Sequence, residues 1–219
     1  MGVLLLLRHG QGSMGTADYD QLSELGYRQA RLAGLRLART ELTIGQVWCG
    51  SLARQQETAR AVLAELGRPA SGLRTDARLD EYDHLGVMAA SMAGDPFASA
   101  TTPASRRALQ TTLDEALHRW IHGGDGYPEP HGAFTARIEA AIANLAALPG
   151  VTLAVTSAGV IAVACAQLTG LPAGRWPSLA RVMVNTSITK LITGSTGTHL
   201  LTFNDHAHLE DDRSLVTYR

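Results

Sequence analysis

The sequence has few cysteines and no long apolar run at its start. Two cysteines, Cys49 and Cys165, occur in 219 residues; they lie far apart in apolar surroundings. This spacing argues against a disulfide framework and fits reduced thiols in the cytosol. The apolar run Val3 to Leu7 is too short for a signal peptide or a membrane span. We therefore expect a cytoplasmic protein with no membrane partner.

The chain also lacks an excess of charge of either sign. The formal net charge is -1, from 19 Lys and Arg against 20 Asp and Glu. No bulk field then draws the protein to nucleic acid, so a nucleic-acid partner is not expected. The chain has no internal repeat, no Walker loop and no GxGxxG motif. Any anion must be bound by a few placed residues.

Apolar runs that alternate with helical patterns predict the fold class. Val3 to Leu7 is wholly apolar without alternation, which is typical of a strand buried on both faces of a parallel sheet. Ile188 to Ile192 and His199 to Phe203 have the pattern of a hairpin. We predict a three-layer α/β/α sandwich with a mostly parallel sheet and an antiparallel edge, in a single domain over residues 1–219. Further strands are expected at 46–49 and 153–156, and helices at about 23–39, 52–66, 105–121, 133–148 and 159–168.

One stretch has no pattern that predicts a strand or a helix. Residues 71–103 show no clear period and hold several Gly and Pro residues, which predicts an excursion from the sheet. We expect a lid or insertion within 82–130 that determines substrate specificity.

Three polar clusters carry the candidate chemistry. Arg8-His9-Gly10 follows the first buried strand, at the edge where ligands bind in open α/β sheets, and Gly10 permits close approach of the backbone to a ligand. Ser51 to Ala59 lies at a strand-to-helix junction, where Arg54 adds a forked set of donors to a helix N-terminus. Leu79 to Asp83 offers three carboxylates, one of which could be a proton donor with a pKa raised by burial.

The ordered combination of these segments resembles the histidine phosphatase superfamily, which includes the phosphoglycerate mutases and many small phosphatases. The resemblance rests on Leu6-Leu7-Arg8-His9-Gly10-Gln11, on Leu22-Ser23-Glu24-Leu25-Gly26 with Gln29-Ala30, and on Ser51-Leu52-Ala53-Arg54 with Thr58-Ala59. It covers roughly the first 85 residues and resumes at Leu153 to Ile161.

The resemblance implies a role for each matching residue. His9 would attack phosphorus and become phosphohistidine, Arg8 and Arg54 would clamp the phosphoryl oxygens, and Glu81 would protonate the leaving oxygen. A neutral imidazole is a competent nucleophile at pH 7, and two guanidiniums would neutralise the phosphate dianion. Neither a metal nor a cofactor is then required.

The sequence departs from the family pattern after the strand at 153–156. Family members carry Ser-His-Gly there, whereas Ser157 occupies the position of the histidine. A hydroxyl can donate a hydrogen bond but brings no positive charge. His208 or His206 could supply a replacement cation, and we favour His208 as a phosphate-binding residue because Leu209 could anchor it. A surface location for both histidines stays open.

We therefore expect a phosphomonoesterase that acts on a phosphorylated small molecule or phosphopeptide. A phosphoglycerate mutase is an alternative. In the mutases the stretch after the Arg-His-Gly motif usually carries Asn with further aromatic and acidic residues, whereas here Gly15 lies six residues after His9 and Asp18-Tyr19-Asp20 follows. A catalytically weakened phosphoester-binding protein is the other alternative, favoured by Ser157. A homodimer also stays open.

Overall fold

The first strand, β1, places its side chains alternately on the two faces of a sheet. The computed structural model describes residues 2–13, 20–91, 103–123 and 126–218. Within them, β1 (Gly2–Arg8) pairs in parallel with β4 (Val151–Thr156) and antiparallel with β5 (Ile188–Gly194). β1 has a neighbouring strand on each side, and other elements pack on both of its faces. Its run of leucines is therefore almost wholly buried.

The other strands extend this sheet in both directions. β2 (Ile44–Cys49) lies parallel beside β4, and β3 (Leu73–Thr75) lies parallel beside β2. β6 (Gly197–Asp205) pairs antiparallel with β5, which confirms the hairpin. The strand order is β3-β2-β4-β1-β5-β6, a mostly parallel sheet with an antiparallel edge, as predicted.

Helices cover both faces and give the three layers. Leu5 and Leu7 of β1 join a core with α1 and α2 on one face, whereas Leu4 and Leu6 join the larger core on the other. Ser23 caps α1 as predicted, because its Oγ accepts a hydrogen bond from the Gly26 N–H at 3.0 Å. The seven α-helices among the described residues are α1 (Glu24–Ala38), α2 (Ala53–Glu65), α3 (His84–Ser91), α4 (Pro103–Ile121), α5 (His131–Ala146), α6 (Ala158–Thr169) and α7 (Trp176–Arg181).

The stretch predicted to be irregular contains more structure than expected. It holds both β3 and α3, and α7 was also missed. β3 has three residues and α7 has six, too few to show a hydrophobic period. The lid predicted within 82–130 includes residues 92–102 and 124–125, which lie outside the described residues, so the lid stays a prediction.

Both cysteines are buried free thiols. None of the helices in the described part of the chain has the length and apolar character needed to cross a membrane.

Candidate active site

The carboxyl ends of three neighbouring parallel strands meet at one edge of the sheet. Gly50 follows β2, Ser157 follows β4 and His9 follows β1. The N–H of His9 donates to the Thr156 carbonyl at 2.8 Å, and the N–H of Gly50 donates to the Val155 carbonyl at 3.2 Å. Hydrogen bonding thus continues past the strand ends and sets His9 beside Ser157. This is the edge where ligands bind in open α/β sheets.

The imidazole of His9 is held in one tautomer by its two neighbours. Its Nδ1 lies 2.7 Å from the Gly10 carbonyl oxygen, which can only accept a hydrogen bond. The Nε of Arg54, which can only donate, lies 3.2 Å from Nε2. The ring proton therefore belongs on Nδ1, and the lone pair of His9 is on Nε2.

The environment of His9 also keeps this ring neutral. Its exposed fraction is 7%, and burial lowers the pKa of the imidazole well below its ordinary value of 6.5. The positive charges of Arg54 and Arg8 lower the pKa further, against a smaller opposing effect of the Gly10 hydrogen bond. At neutral pH the site thus presents an unprotonated nitrogen next to two fixed cations.

Gly10 owes its place to packing within the protein. A Cβ at Gly10 would collide with the main chain of Gly26 in the first turn of α1. Its N–H donates to Thr58 Oγ1 at 3.0 Å, and that hydroxyl donates to the Arg54 carbonyl at 2.7 Å. The loop after β1 is therefore tied to α2, which carries Arg54, and it packs closely against α1 at Gly10. The close approach of a ligand to Gly10 stays a prediction.

Arg54 shares the beginning of α2 with a carboxylate. Its Nη1 donates to Asp20 Oδ1 at 2.5 Å, and the N–H of Ala53 donates to Asp20 Oδ2 at 2.7 Å. The carboxylate of Asp20 thus occupies part of the anion site predicted at this helix N-terminus. Asp20 fixes the plane of the guanidinium while its Nε faces His9.

Arg8 reaches across the site to main-chain carbonyls. One Nη group donates to the carbonyl of Met183, and the other donates to the carbonyl of Tyr218 at 3.0 Å. Its exposed fraction is 6%. The guanidinium is thus fixed near His9, where its charge acts on the imidazole. Its direct contact with a phosphoryl group stays a prediction.

The segment that carries Tyr218 is held beneath the site by a buried glutamine. Gln29 Nε2 donates to the Leu215 carbonyl at 2.7 Å and to Thr217 Oγ1 at 2.8 Å. Gln29 Oε1 accepts from the N–H of Gln11 at 2.9 Å. One side chain therefore connects the loop after β1 to residues more than 180 positions away in sequence.

Glu81 lies against the first turn of α6. Its Oε2 accepts from the Gly159 N–H at 3.0 Å, and its Oε1 accepts from the Tyr82 N–H at 3.2 Å. A Cβ at Gly159 would overlap the carboxylate. Burial raises the pKa of Glu81 above its ordinary value, although both hydrogen bonds and the charges of Arg54 and Arg8 act in the opposite direction. A raised pKa suits a proton donor.

The two neighbouring carboxylates have other partners. Asp80 Oδ1 accepts from the Ser51 N–H at 2.6 Å, and the Ser51 hydroxyl also donates to this carboxylate. Asp83 Oδ1 accepts from the Gly86 N–H at 2.9 Å at the beginning of α3. Asp80 is thus occupied by the loop after β2 and Asp83 by α3, whereas Glu81 lies at the beginning of α6, after β4. The assignment of Glu81 as the acid stays a prediction.

An aromatic cluster anchors the chain just after the acid. The ring of Tyr82 lies 5.3 Å from Trp120, and 5.8 Å from both Phe134 and Trp176, between centroids. Phe134 and the two tryptophans are almost fully buried. Glu81 is therefore held from one side by the hydrophobic core and from the other by α6.

Ser157, which stands in place of the family's histidine, is fully buried and hydrogen-bonded. Gln55 Nε2 donates to its Oγ at 2.8 Å. The residue lies at the N-cap of α6. Its binding to phosphate stays a prediction.

The two late histidines lie farther along the chain, after β6. His208 Nε2 lies 3.2 Å from Thr186 Oγ1, and the N–H of Thr186 donates to the His9 carbonyl at 3.3 Å. Burial lowers the pKa of His208 to about 4, so the ring carries no positive charge at neutral pH. Nδ1 of His206 lies 2.7 Å from the Asn204 carbonyl. An uncharged ring does not fit the replacement cation expected of His208, and its contact with phosphate stays a prediction.

Within the described ranges, no group of three or more His, Cys, Asp or Glu side chains could hold a metal ion.

Several residues at the site were not predicted from the sequence. Gln29 belongs to the family-like segments and Gln55 to the cluster Ser51 to Ala59, but the sequence predicts no role for either. The residues without a predicted role are polar and make hydrogen bonds to groups distant in the chain: Asp20, Gln29, Gln55 and Asn185. Asn185 Nδ2, for example, donates to the His9 carbonyl at 3.2 Å across 176 positions. The strand-end rule locates the edge of the sheet but does not say which distant side chains reach it.

Comparisons with known proteins identify relatives of this chain. A family model described as the histidine phosphatase superfamily, branch 1, matches residues 4–206. A 2,3-bisphosphoglycerate-dependent phosphoglycerate mutase of Methylobacterium sp. (strain 4-46) is 36% identical over 89 residues, which cover 37% of this chain and 42% of that protein. A mutase of the same name from Brucella ovis is 32% identical over 87 residues. The matched region thus spans less than half of these curated relatives.

Solved structures match over nearly the full length. A mycobacterial glucosyl-3-phosphoglycerate phosphatase is 26% identical, with a TM-score of 0.61 over 93% of this chain and 99% of that one. Bacillus stearothermophilus YhfR is 22% identical, with a TM-score of 0.69 over 95% of this chain and 100% of that one, and shows the shared fold.

Proposed function

The chain belongs to the histidine phosphatase superfamily, and from that premise we propose that it is a phosphomonoesterase that acts through a phosphohistidine on His9. The observation that carries the proposal is the unprotonated Nε2 of His9, 3.2 Å from the Nε of Arg54. A nucleophile and a cationic donor thus converge on one point, where a phosphoryl group would meet both.

The reaction would proceed in two displacements. Nε2 of His9 attacks phosphorus as the bond to the leaving oxygen breaks, and Glu81 gives its proton to that oxygen. A water then attacks the phosphohistidine, gives a proton to the Glu81 carboxylate, and releases inorganic phosphate with His9 restored. The raised pKa of Glu81 favours the protonated form that the first displacement needs.

Charge neutralisation would come from the protein itself. Arg8 and Arg54 are both almost fully buried near His9, where a low local dielectric strengthens their pull on phosphoryl oxygens. We therefore propose a reaction without a metal or other cofactor, on a phosphorylated small molecule or a phosphopeptide in the cytoplasm.

Turnover of p-nitrophenyl phosphate in the presence of EDTA tests the proposal. We expect wild-type protein to release p-nitrophenol, and His9→Ala to release none above background. The matched control is His199→Ala, an exposed histidine of the β5–β6 hairpin, which should behave as wild type. Full activity of His9→Ala would exclude the mechanism.

Mutase activity is the second candidate, because the curated relatives that match are phosphoglycerate mutases. The stretch 14–19, which includes Gly15, lies outside the described residues. Incubation with 3-phosphoglycerate and a 2,3-bisphosphoglycerate primer separates the two: a mutase forms 2-phosphoglycerate, whereas a phosphatase releases inorganic phosphate. Binding of phosphate with neither product would indicate the weakened phosphoester-binding protein.

A further inference from the structure

A single peptide group lies between the imidazole of His9 and a buried glutamine. Its carbonyl oxygen, that of Gly10, lies 2.7 Å from Nδ1 of His9. Its N–H, that of Gln11, donates to Oε1 of Gln29 at 2.9 Å. A trans peptide group is planar, with its C=O and N–H pointing in opposite directions. Whatever fixes the N–H of this Gly10–Gln11 peptide therefore also fixes the carbonyl that faces His9.

The orientation of the Gln29 side-chain amide is determined by its three partners. Its Nε2 lies 2.7 Å from the Leu215 carbonyl oxygen, which can only accept, and its Oε1 faces the Gln11 N–H, which can only donate. The second hydrogen of Nε2 goes to Thr217 Oγ1 at 2.8 Å. A flipped amide would set donor against donor at Gln11. Gln29 has no exposed surface, so it accepts from the peptide out of reach of solvent.

The next link of this network leads back to His9. Thr217 Oγ1 donates to Asn185 Oδ1 at 2.9 Å, and Asn185 Nδ2 donates to the His9 carbonyl at 3.2 Å. Because a carbonyl can only accept, the direction of every hydrogen bond along this path is set. Gln29 is therefore joined to His9 from two sides. One path reaches the imidazole through the Gly10–Gln11 peptide, and the other reaches the main chain of His9.

The glycine at position 10 makes a fixed point for this peptide necessary. A Cβ at Gly10 would collide with the main chain of Gly26, so packing against α1 requires glycine here. The backbone of a glycine is less restricted in rotation than that of other residues. Without an anchor on the Gln11 N–H, the Gly10 carbonyl could turn away from the ring. The imidazole would then lose the acceptor that holds its Nδ1 hydrogen.

We propose that Gln29 is a positioning residue for His9, which acts through the Gly10–Gln11 peptide to keep the imidazole oriented with Nε2 free for phosphorus. The inference rests on the proposed function of the site, because it gives Gln29 a part in the same reaction. Gln29 does not touch the substrate in this role. The bond from Gln11 to Gln29 also polarises the peptide and so strengthens the bond that the Gly10 carbonyl accepts from His9.

Exchange of the His9 Nδ1 hydrogen with water, followed by NMR in the free protein, tests the positioning directly. In wild-type protein this exchange should be slow. Gln29→Met keeps the length of the side chain but removes the acceptor for Gln11, so exchange should be about tenfold faster, the effect of about one hydrogen bond. Thr217→Val removes a partner on the opposite side of the Gln29 amide and leaves the bond to Gln11 in place. Exchange in Thr217→Val should therefore stay close to that of wild type.

Turnover of p-nitrophenyl phosphate measures the consequence for the reaction. Gln29→Met should lower kcat by about tenfold with a smaller change in KM, because a loosely held imidazole is less often aligned with phosphorus. Gln29→Glu retains a carboxyl oxygen that can accept from Gln11, so it should restore slow exchange and part of kcat. Gln56→Met is the matched control; the Nε2 of Gln56 donates to the Ser51 carbonyl at 2.8 Å, and its loss should leave exchange and kcat unchanged.

Thermal unfolding of each variant shows whether it is folded at the assay temperature. If Gln29→Met is not folded, Gln29→Asn takes its place. Its amide keeps the site polar but is one methylene too short to span the distance between Gln11 and Leu215. It should show the same faster exchange of the His9 Nδ1 hydrogen.

The outcomes separate this role from the proposed function. Fast exchange in wild-type protein, or wild-type exchange in the folded Met or Asn variant of Gln29, would overturn the role of Gln29. Equal acceleration in Thr217→Val would also overturn it, because the effect would then come from loosening of the segment 215–218. If wild-type protein shows no turnover, the proposed function fails, and the exchange rates still decide whether Gln29 holds the ring of His9.

Discussion

The Nε of Arg54 donates a hydrogen bond to Nε2 of His9 across 3.2 Å, while Nδ1 of the same ring lies 2.7 Å from the Gly10 carbonyl oxygen. An arginine Nε–H has no acceptor capacity, so the ring nitrogen that faces it must be unprotonated. The same contact explains how a phosphoryl group would enter. Its oxygen would take over the Arg54 donor, and Nε2 would become free to attack phosphorus.

The phosphate should therefore be found on Nε2 and not on Nδ1. Rapid mixing with substrate, an alkaline quench and ³¹P NMR of the protein would identify the isomer, because the two phosphohistidines differ in chemical shift. The adduct should be labile to acid and stable to base. Phosphate on Nδ1, on a serine or on a cysteine would contradict the tautomer assigned here.

Glu81→Gln should act selectively on substrates with poor leaving groups. An alkyl phosphate needs a proton on the departing oxygen, so its kcat/KM should fall by about 100-fold or more, whereas p-nitrophenyl phosphate should lose far less. Asp83→Asn is the matched control, because Asp83 contacts the beginning of α3 and should show no such selectivity. Equal losses on both substrates would assign Glu81 a structural role.

Burial of His208 should make the protein less stable in mild acid. Its folded-state pKa is lowered from 6.5 to about 4, so below pH 6.5 the unfolded chain binds a proton that the folded chain does not. The contribution to stability is complete above pH 6.5 and is lost as the pH falls toward 4. His9, whose pKa is also lowered by burial, acts in the same direction.

Urea unfolding at pH 7.5 and pH 5 measures this effect. His208→Gln, which cannot titrate, should reduce the difference in unfolding free energy between the two pH values by about 2 kcal/mol. The same substitution at His199, an exposed histidine, should leave the difference nearly unchanged. An unaltered pH dependence in His208→Gln would show that the ring is not buried in the folded protein.

Restoring the family's histidine at position 157 should require a second change. Ser157 is fully buried, and Gln55 Nε2 lies 2.8 Å from its Oγ, so an imidazole has no room there. Ser157→His alone should destabilise the fold by about 1–3 kcal/mol through overpacking. The double variant Ser157→His with Gln55→Ala should recover that stability and bind orthovanadate at least as tightly as Ser157→Ala. A single Ser157→His variant with wild-type thermal stability would argue against this packing.

The sequence by itself determined the fold class and singled out the candidate reactive groups. Val3 to Leu7 is an unbroken apolar run, as in a strand buried on both faces, and a polar cluster directly after such a strand is expected at the ligand-binding edge of the sheet. His9, Arg54 and Glu81 became candidates in this way, together with the family resemblance, and their chemical roles stay predictions. Local signals sufficed because strand ends and helix beginnings are set by residues close in sequence.

Only the tertiary structure decided how those groups are tuned. The tautomer of His9 depends on Arg54, 45 positions away, and the fixed place of Arg8 depends on the carbonyl of Tyr218, 210 positions away. Desolvation, which sets the pKa shifts of His9 and Glu81, is a property of all the chain packed around a group. The local sequence does not reveal the contacts of Gln55. Its hydrogen-bond partners, Leu79 and Ser157, are distant in the chain and contact it only when α2 packs on the sheet.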